Sequence, residues 1–384
     1  MNILILLLPK NICYSAERSM EFEFGAALIK KGVSVTYLDT ERFTGKELLD
    51  LSSRNFDALF SFETSFYHSY IEDYDIRYSD LFKCPKFYFS LDHPQSLYEL
   101  NRNAPDSLYI LTHDRNYIKY IKKYYSKISG VFLMSPAGKE VFYNGSKIYD
   151  ISFMGSFPNG EIFTRKFMAL DSHLHYLANA YSNEIAMHPE LTDSENFYNI
   201  CLKNKLYFSD EQFSAIMSKL AFIPDMVMAV YRKNVLLSLL QAGFSINVWG
   251  ESWNNFPDKE NYSLIIHKAV PFNDSITEIA KSKFSINVMS GHKDGYTERI
   301  SNSALNHAVI ISDRSTQLAE KYLSGSEIIF YDFHKLNELP DKIHRAMPIQ
   351  SDIAEKAYQK SILTDTWDHK ASEFIKIIKG LSKK

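Results

Sequence analysis

The stretch NILILLLPKNICYSAERSMEFEFGAALIKKGVSVTYLD, residues 2–39, sets the architecture of this chain. Its run 3–8 is apolar throughout and has the length of a strand, whereas 16–31 carries apolar residues at helical spacing. Gly32 ends this helix, and 33–38 is a second β-rich run. The order predicts a βαβ unit, because strands that are buried on both faces have unbroken apolar runs.

The same alternation of strands and helices continues along the chain. Strand-length runs are predicted at 58–62, 86–91, 107–111 and 130–133, and a second series at 148–154, 245–249, 264–267, 284–288, 308–312 and 327–330. The helical patterns between them are typical of doubly wound parallel sheets. A break rich in Gly, Asn and Ser at 138–147 separates the two series.

We therefore predict an α/β protein of two Rossmann-like domains, each built on a doubly wound parallel sheet. The first domain spans 1–147 and the second 148–359, with a helical insertion at 175–225. A helix at 360–384 is expected to pack back on the first domain. Because open sheets bind ligands at the carboxyl ends of their strands, the two domains are expected to face a shared cleft.

The composition excludes several classes of protein. With 45% hydrophobic and 23% charged residues the chain lies outside the disordered range, and a net charge of −3 offers no broad basic field for nucleic acid. Cys13, Cys84 and Cys201 are far apart and lack CxxC spacing, as in proteins of a reducing compartment. The apolar run at the start is too short for a signal peptide or a membrane span. We expect a cytoplasmic protein.

The segment 290–299, SGHKDGYTER, is the strongest candidate for a ligand site. A strand precedes it, and a helix is predicted to start near Thr297 after a polar loop that contains glycine. Backbone N–H groups at such a helix start bind diphosphates with the help of the helix dipole, and Arg299 offers a bidentate contact to phosphate. The alternative is a surface loop in which Glu298 and Arg299 are simply solvated.

Short motifs spread over most of 85–375 resemble one family of enzymes. They are Arg299 followed by ISNSAL at 300–305 and the apolar strand VIISD at 309–313, FSINV at 284–288 with Asp294 and Gly295, ISFMGS at 151–156 with Arg165 in the next helix, VWGESW at 248–253, and a closing Thr-Trp helix at 356–367. Together they resemble the GT-B glycosyltransferases, particularly the CgeB-like branch of the glycosyl transferases group 1.

The resemblance implies transfer of a sugar from a nucleotide-sugar that the second domain binds. The donor-binding residues that it indicates are Gly155, Ser156, Arg165, Gly250, Lys293, Gly295, Tyr296, Thr297, Glu298, Arg299 and Asn302. Without a metal, the departing diphosphate is expected to be stabilised by helix N-termini and by Arg165, Lys293 and Arg299. Tyr296 or Trp249 is a candidate for stacking on the base, although an aromatic residue near a strand end more often belongs to the core. No cofactor is implied, since the nucleotide-sugar is a substrate.

Two positions depart from the family pattern. The family's Glu that accepts hydrogen bonds from the donor ribose falls on Asn302, whose amide accepts such a bond without the charge. The family's Gly at the helix end falls on His307, which removes the easy left-handed cap. A second hypothesis is therefore a non-catalytic nucleotide- or glycan-binding protein on the same scaffold.

In the first domain, the segment SLDHP at 90–94 follows a predicted strand and places Asp92 beside His93. Histidine transfers protons near neutral pH and a neighbouring Asp fixes its tautomer, so His93 or Asp92 is the first choice for the general base of an inverting reaction. The alternative is that Asp92 caps the helix that follows. Glu17 and Glu63, at equivalent strand ends, are weaker acid–base candidates.

The remaining motifs indicate no metal and no dinucleotide. DYD at 73–75 matches a metal-binding pattern of another glycosyltransferase fold but follows no buried strand, and His173 and His175 belong to no zinc pattern, so no essential metal is predicted. A dehydrogenase is disfavoured because 9–15 lacks GxGxxG. The expected acceptor is a bacterial surface polysaccharide, a glycolipid or a protein, with no nucleic-acid partner and with peripheral membrane association as a further expectation.

Overall fold

The computed structural model of the protein describes residues 1–10, 12–62, 64–71 and 74–381. The candidates Glu63 and Asp73 lie outside the described residues. The strands are β1 (Asn2–Leu7), β2 (Ser34–Asp39), β3 (Ala58–Ser61), β4 (Lys86–Ser90), β5 (Leu108–Thr112), β6 (Gly130–Leu133), β7 (Tyr149–Met154), β8 (Ile246–Trp249), β9 (Leu264–His267), β10 (Ser282–Ile286), β11 (Val309–Asp313) and β12 (Ile329–Tyr331). The α-helices are α1 (Ala16–Lys30), α2 (Gly45–Ser52), α3 (Ser65–His68), α4 (Tyr98–Arg102), α5 (Arg115–Tyr124), α6 (Gly160–Met168), α7 (Ser172–Met187), α8 (Asp193–Lys203), α9 (Asp210–Lys219), α10 (Phe222–Gln241), α11 (Phe272–Ala280), α12 (Glu298–Leu305), α13 (Thr316–Lys321), α14 (Leu339–Ala346), α15 (Gln350–Ser361) and α16 (Trp367–Leu381).

The chain divides into two compact units. Unit 1 consists of Met1–Ala137, Pro271–Asn273 and the C-terminal residues from Leu363, and unit 2 of Gly138–Val270 and Asp274–Ile362. Within the described ranges, each unit contains one six-stranded sheet whose strands are all parallel. The prediction of two doubly wound α/β domains is thereby confirmed. The division falls at the start of the polar break that follows β6 rather than at its end.

The unit 1 sheet has the strand order β2-β1-β3-β4-β5-β6. β1 lies between β2 and β3, and it pairs Ile3 with Val35 on one side and with Ala58 on the other. The direction of winding therefore reverses between β1 and β3. The carboxyl ends of these two strands form a topological switch point, the place where open α/β sheets bind ligands.

An aromatic cluster holds the C-terminal helix α16 against this sheet. The ring of Phe374 in α16 lies 5.3 Å from the rings of both Phe24 and Phe60, and 4.8 Å from that of Phe87, measured between centroids. All four rings are buried, and each such burial contributes about 1.5–3 kcal/mol. The helix α16 is therefore part of the unit 1 core although it is last in the sequence.

A carboxyl group is buried at the switch point of unit 1. Glu21 of α1 is fully buried and accepts hydrogen bonds from the backbone N–H of Leu8 (2.9 Å) and of Phe62 (3.5 Å), the residues that follow β1 and β3. Burial raises the pKa of Glu21 well above its ordinary value of 4.5, against the opposing effects of these hydrogen bonds and of the Arg18 charge. The folded state therefore favours the protonated carboxyl.

We expect Glu21→Gln to make the stability of the protein less dependent on pH. With a raised folded pKa, Glu21 contributes stability that is fully present below its unfolded pKa near 4.5 and is lost as the pH rises through the folded pKa. The free energy of unfolding of the variant should therefore increase relative to wild type as the pH rises from the unfolded pKa through the raised folded pKa. Urea denaturation at a series of pH values measures this difference, with the exposed Glu47→Gln as control. A difference that stays constant with pH would contradict the assignment.

The unit 2 sheet has the strand order β12-β11-β10-β7-β8-β9. Ile151 in β7 pairs with Ile246 in β8 on one side and with Phe284 in β10 on the other. Counted from β7, this is the order 3-2-1-4-5-6 that is common in nucleotide-binding sheets. The switch point of unit 2 therefore lies between the carboxyl ends of β7 and β10, and β10 itself ends at Ile286, before the predicted end at 288.

The predicted helical insertion corresponds to α7, α8 and α9, which lead into the long helix α10. The apolar composition of α10 reflects burial in unit 2, where Val235, Leu236, Leu239 and Leu240 are covered. Across the residues that the structure describes, no single helix has the length and apolar composition of a membrane span; α9 and α10 meet both criteria only as a pair, bent by 49° at the break between them.

Candidate functional site

Two glycine loops meet beside the switch point of unit 2. Gly155 follows β7 and Gly250 follows β8, with φ angles of 146° and 142° that only glycine adopts readily. The N–H of Gly155 donates to the Trp249 carbonyl (2.9 Å), and Ser156 Oγ accepts from the N–H of Glu251 (3.0 Å). A Cβ on Gly250 would lie 2.6 Å from the carbonyl carbon of Gly155. The structure thus brings Gly155, Ser156 and Gly250 together because these loops pack backbone against backbone.

Arg232 reaches the glycine loops from α10. Its Nη1 donates to the Ser156 carbonyl (2.6 Å), and its guanidinium lies 5.1 Å from the ring centroid of Phe153. The residue is 8% exposed, and within the described part of the chain its Nε has no hydrogen-bond partner. Burial, with a smaller contribution from the charge of Arg299, lowers the pKa of Arg232 to about 10. A buried guanidinium that is close to another cation and not fully hydrogen-bonded is suited to receive an anion.

Arg299 follows β10, the other strand of the switch point, and Asn287 orients it. Oδ1 of Asn287 accepts from Arg299 Nη1 (3.1 Å) and from Thr297 Oγ1 (3.2 Å). Thr297 is the N-cap residue of α12, and its side chain makes no cap bond to the helix. The Arg299 side chain is 27% exposed, with Nε 3.8 Å from Oε1 of Glu298. The predicted group Thr297, Glu298 and Arg299 therefore stands at a helix start, as expected from sequence.

These groups form a cationic site at the carboxyl edge of the unit 2 sheet, defined here as Arg232, Arg299, the start of α12 and the two glycine loops. A helix N-terminus and two guanidinium groups favour a multiply charged anion such as a diphosphate. The charge of Arg299 disfavours the charged form of the buried Arg232, and a bound anion would remove this penalty. Perturbed charges of this kind are typical of functional sites.

A buried acid holds the loop between β10 and α12. Asp313, at the end of β11, accepts hydrogen bonds from the N–H of Met289 (2.8 Å) and of Ser290 (3.0 Å). Burial raises the pKa of Asp313, while the charge of Lys293 and the two hydrogen bonds act in the opposite direction. This carboxyl therefore fastens the start of the segment 290–299 to the sheet.

The two other predicted cations have different partners. The ammonium of Lys293 donates to the carbonyls of Ser290 and Pro189, so it connects the loop to the helical insertion. Arg165 is exposed on α6, where its Nε donates to the Glu161 carbonyl of the same helix (3.5 Å). Arg299, the third cation predicted for the diphosphate, is near enough to Arg232 for its charge to lower the pKa of that guanidinium.

The aromatic candidates for base stacking are core residues. Tyr296 is 5% exposed within a hydrophobic cluster, and Gly295 beside it is buried as well. Trp249 is 4% exposed and stacks on His267 with 4.2 Å between ring centroids. Protein therefore covers both rings, which leaves neither face open to a base.

Asn302 contacts the backbone at the start of unit 2. Its Oδ1 accepts from the N–H of Lys139 (2.9 Å). One turn later, Asn306 accepts from the N–H of Val141 (2.9 Å) and donates to the Lys139 carbonyl (2.8 Å). The residue that stands in place of the family's ribose-binding Glu thus belongs to an asparagine clamp, Asn302 and Asn306, on the segment 138–141.

We expect Asn306→Ala to loosen the segment 138–141. The variant removes the acceptor of the Val141 N–H and a donor to the Lys139 carbonyl, a loss of about 2–3 kcal/mol in the free energy of unfolding. Asn306→Asp retains the acceptor, so its free energy of unfolding should fall by about half as much as that of Asn306→Ala. Urea denaturation and hydrogen exchange at the Val141 amide measure the effect. Unchanged protection of that amide in Asn306→Ala would show that the side chain does not hold the segment.

His307 adopts the conformation for which the family uses glycine. Its φ is 52°, in the left-handed region. The ring stacks on Tyr358 with 4.2 Å between centroids, and Nδ1 lies 3.2 Å from Oε2 of Glu355. A left-handed non-glycine residue costs about 1–2 kcal/mol, which these contacts offset. The departure at this position therefore leaves the end of α12 intact.

In unit 1, the residue that caps the helix after β4 is His93, so the alternative with Asp92 as the cap is wrong. Nδ1 of His93 accepts from the N–H of Gln95 (3.1 Å) at the start of a 3-10 helix, Pro94–Leu97. Burial lowers the pKa of His93 to about 3. The imidazole is therefore neutral and, because Nδ1 is an acceptor, carries its proton on Nε2. In this state the ring has no free lone pair for a proton.

Other acid–base candidates of unit 1 follow β4, β5 and β1. Asp92 reaches solvent, and the protein around it displaces water and raises its pKa. His113, which follows β5, is buried, and burial lowers its pKa to about 4. The ring of Tyr117 lies 4.7 Å from that of His93 and 5.7 Å from that of His113. Glu17 is half-buried in the first turn of α1. The accessible proton acceptor at the end of β4 is therefore Asp92.

Arg232 of the cationic site and Asn287, which orients Arg299, were absent from the sequence-based prediction. An available signal for Arg232 is its place on the buried stripe of an apolar helix, beside Val235 and Leu236. Arginine is rarely buried unless it is paired, so such a position indicates a function. Asn287 has a weaker signal, a polar residue in the apolar run 284–288.

The described residues include no group of three or more His, Cys, Asp or Glu side chains that is arranged to hold a metal ion. In the DYD segment, Tyr74 and Asp75 are exposed. Cys13, Cys84 and Cys201 are free thiols, the first exposed and the others buried.

Comparison with protein families finds a match to a segment that begins in unit 2 and ends in α16 of unit 1. Residues 232–376 match a family model described as glycosyl transferase-like. The matched segment contains Arg232, Asn287 and Arg299. A comparison with curated protein sequences finds no match.

Solved structures share the fold along the whole chain. A DNA-modifying β-glucosyltransferase, studied with and without its substrate uridine diphosphoglucose, has a TM-score of 0.56 at 10% identity and covers 99% of this chain and 100% of its own. A glycosyltransferase involved in avilamycin A biosynthesis gives 0.53 at 9%, covering 99% and 98%. Anabaena HepE, in complex with UDP and glucose, gives 0.51 at 9%, covering 99% and 100%. At these identities the likeness establishes the fold, and the predicted GT-B fold is confirmed.

Proposed function

We propose that this chain, which has the GT-B fold and a glycosyl transferase-like segment at 232–376, is a nucleotide-sugar-dependent glycosyltransferase. The observation that carries the proposal is the cationic site at the unit 2 switch point, where the charge of Arg299 contributes to the lowered pKa of Arg232. Sugar transfer from such a donor releases a nucleoside diphosphate. The two guanidinium groups supply the positive charge that this leaving group requires.

The proposed reaction is substitution at the anomeric carbon of the donor sugar. The acceptor hydroxyl oxygen forms a bond to that carbon, and the bond from the carbon to the β-phosphate oxygen breaks, so that the diphosphate leaves with the electron pair. In an inverting reaction the hydroxyl proton passes to a protein base. Negative charge therefore grows on the β-phosphate in the transition state. Arg232, fixed by its bond to Ser156, and Arg299, fixed by Asn287, are preorganised to stabilise it.

Calorimetry with UDP, GDP and CMP tests the proposal, followed by a turnover assay with the sugar derivative of any nucleotide that binds. UDP is the first choice because the β-glucosyltransferase uses uridine diphosphoglucose and Anabaena HepE was solved with UDP. Binding that is weakened in Arg299→Ala and unchanged in Arg345→Ala, an exposed arginine on α14, would support the proposal. If none of the three nucleotides binds, the proposed function is wrong.

We propose Asp92 as the general base, because His93 uses its lone pair as a cap. Asp92→Asn should lower kcat by about a hundredfold, and activity of the wild type should fall as the pH drops through the raised pKa of Asp92. His93→Asn keeps an oxygen that can cap the helix and should change kcat only a few-fold. Steady-state kinetics across the pH range measure both. An inactive His93→Asn beside an active Asp92→Asn would reverse the assignment.

We further propose a cytoplasmic enzyme that needs no metal and acts on a polysaccharide, glycolipid or protein. Three free thiols support a reducing compartment. The relatives in fold include a DNA-modifying enzyme and one of avilamycin A biosynthesis, so the fold alone does not choose an acceptor. Mass spectrometry of products from lipid-linked, polysaccharide and protein acceptors, with and without EDTA, tests these points; activity that disappears in EDTA would contradict metal independence.

One observation favours the second hypothesis, a nucleotide- or glycan-binding protein without turnover. Oδ1 of Asn302, which stands where the family's ribose-binding Glu is expected, is bonded to the Lys139 N–H (2.9 Å). A carboxylate for the ribose is therefore not supplied from this position. Nucleotide binding with no hydrolysis and no transfer to any acceptor would favour this hypothesis over catalysis.

A further inference from the structure

We propose that Asn287 is the residue that positions Arg299 for the diphosphate, an inference that rests on the proposed function. The Asn287 Oδ1 accepts from both Arg299 Nη1 (3.1 Å) and Thr297 Oγ1 (3.2 Å). One amide oxygen therefore joins the guanidinium to the N-cap residue of α12. Asn287 is only 2% exposed, so water does not compete for that oxygen.

The orientation of the Asn287 amide is fixed by a second hydrogen bond. Its Nδ2 donates to Oγ of Ser312 (3.1 Å), on the adjacent strand β11. Because nitrogen takes this bond, the oxygen faces Arg299 and Thr297. The backbone of Asn287 is held separately, through its N–H to the Ile311 carbonyl (2.8 Å) and its carbonyl to the Tyr331 hydroxyl (2.8 Å). The backbone at Asn287 is therefore held without the side chain, whose amide bonds Ser312, Thr297 and Arg299.

An amide at this position orients Arg299 and preserves its charge. A carboxylate at 287 would form an ion pair with the guanidinium and reduce the positive potential that a diphosphate experiences. An apolar side chain would leave the guanidinium without its acceptor and free to take other rotamers. Asparagine is thus suited to a site in which Arg232 and Arg299 must both remain positive.

The test compares Asn287→Ala and Asn287→Asp with Asn247→Ala in the full-length protein. Asn247 is a matched control, since it is 5% exposed on β8 of the same sheet and its Oδ1 contacts His267 Nε2 (2.8 Å) instead of an arginine. Calorimetry with UDP measures affinity, and nitrogen NMR of the Arg299 guanidinium, assigned through Arg299→Lys, measures its proton exchange in the absence of nucleotide.

We expect Asn287→Ala to weaken UDP binding about tenfold and to accelerate guanidinium exchange, and Asn287→Asp to weaken binding while exchange stays slow. Asn247→Ala should change neither. In an Arg299→Ala background, Asn287→Ala should cause no further loss, because the two residues act as one unit.

The outcomes separate this inference from the proposed function. Unchanged guanidinium exchange in Asn287→Ala overturns the inference whether or not a nucleotide binds. If the wild type binds UDP and Asn287→Ala binds it with the same affinity, the inference is overturned too, while the proposed function stands. A wild type that binds no nucleotide refutes the proposed function, and the guanidinium exchange then still reports on whether Asn287 orients Arg299.

Discussion

Arg299→Ala should lower kcat/KM for the nucleotide-sugar donor by about a thousandfold, the largest effect on activity that we expect from one substitution. The reason is that Arg299 is preorganised by Asn287, is partly exposed, and stands at the start of α12 beside the charge of Arg232. Charge on the leaving diphosphate grows in the transition state, so the loss should affect kcat more than KM. Steady-state kinetics with varied donor measure both constants.

Three variants test the origin of this loss. Arg299→Lys keeps the charge but not the bidentate geometry and should recover only part of the activity. Arg232→Lys should also keep only part of the wild-type activity, since Arg232 bonds the Ser156 carbonyl and belongs to the same site. Arg165→Ala, an exposed arginine on α6, should be near wild type. If Arg165→Ala causes the larger loss, the diphosphate binds elsewhere on unit 2.

Gly250→Ala should destabilise the protein by roughly 4 kcal/mol, the largest expected effect on folding. Two causes add together. The φ of 142° at Gly250 strains any other residue, and the new Cβ would lie 2.6 Å from the carbonyl carbon of Gly155 and 2.7 Å from the backbone nitrogen of Ser156. Because these neighbours are backbone atoms, they cannot move aside as a flexible side chain would. Chemical denaturation measures the loss, and calorimetry with UDP shows whether the donor site is lost with it.

Two other glycines serve as controls for the separate causes. Gly243 has a φ of 87° and open space around its Cβ position, so Gly243→Ala isolates backbone strain at about 1–2 kcal/mol. Gly160 lies at the start of α6, also with open space, and Gly160→Ala should be neutral or slightly stabilising. An equal loss in Gly250→Ala and Gly243→Ala would show that the close approach of the two loops contributes nothing.

The fold was predictable because the strands of a buried parallel sheet are recognisable in the sequence as short apolar runs. Strands covered on both faces need unbroken apolar runs, and the predicted run 58–62 starts with the fully buried β3, whereas 284–288 extends past the end of β10 at Ile286. Boundaries differ by a residue or two because polar residues such as Thr112 are buried at strand ends, where apolarity no longer marks the strand. Helix starts were also recognisable in the sequence: α12 begins at Glu298, next to the Thr297 at which the helix was predicted to start.

The candidate site was predictable only where it is local in sequence. Thr297, Glu298 and Arg299 are consecutive, so one helix start brings them together. Arg232 belongs to α10, far from them along the chain, and its position on a buried apolar stripe indicates a function without indicating which residues share the site. Similarly, the local sequence suggested that His93 was a base, but a hydrogen bond from the Gln95 N–H makes its Nδ1 a cap.

The order of apolar runs and helix starts was therefore enough to define two doubly wound sheets and the helix that carries Arg299. The order of these elements did not define which residues each side chain contacts in the folded protein. Asn302 matched a ribose-binding position by sequence, yet its oxygen bonds to Lys139, and the charge of Arg299 acts on Arg232 of the distant helix α10. Secondary structure follows from the periodicity of neighbouring residues, whereas the charge and hydrogen bonds of a site depend on residues that meet only after the sheet has formed.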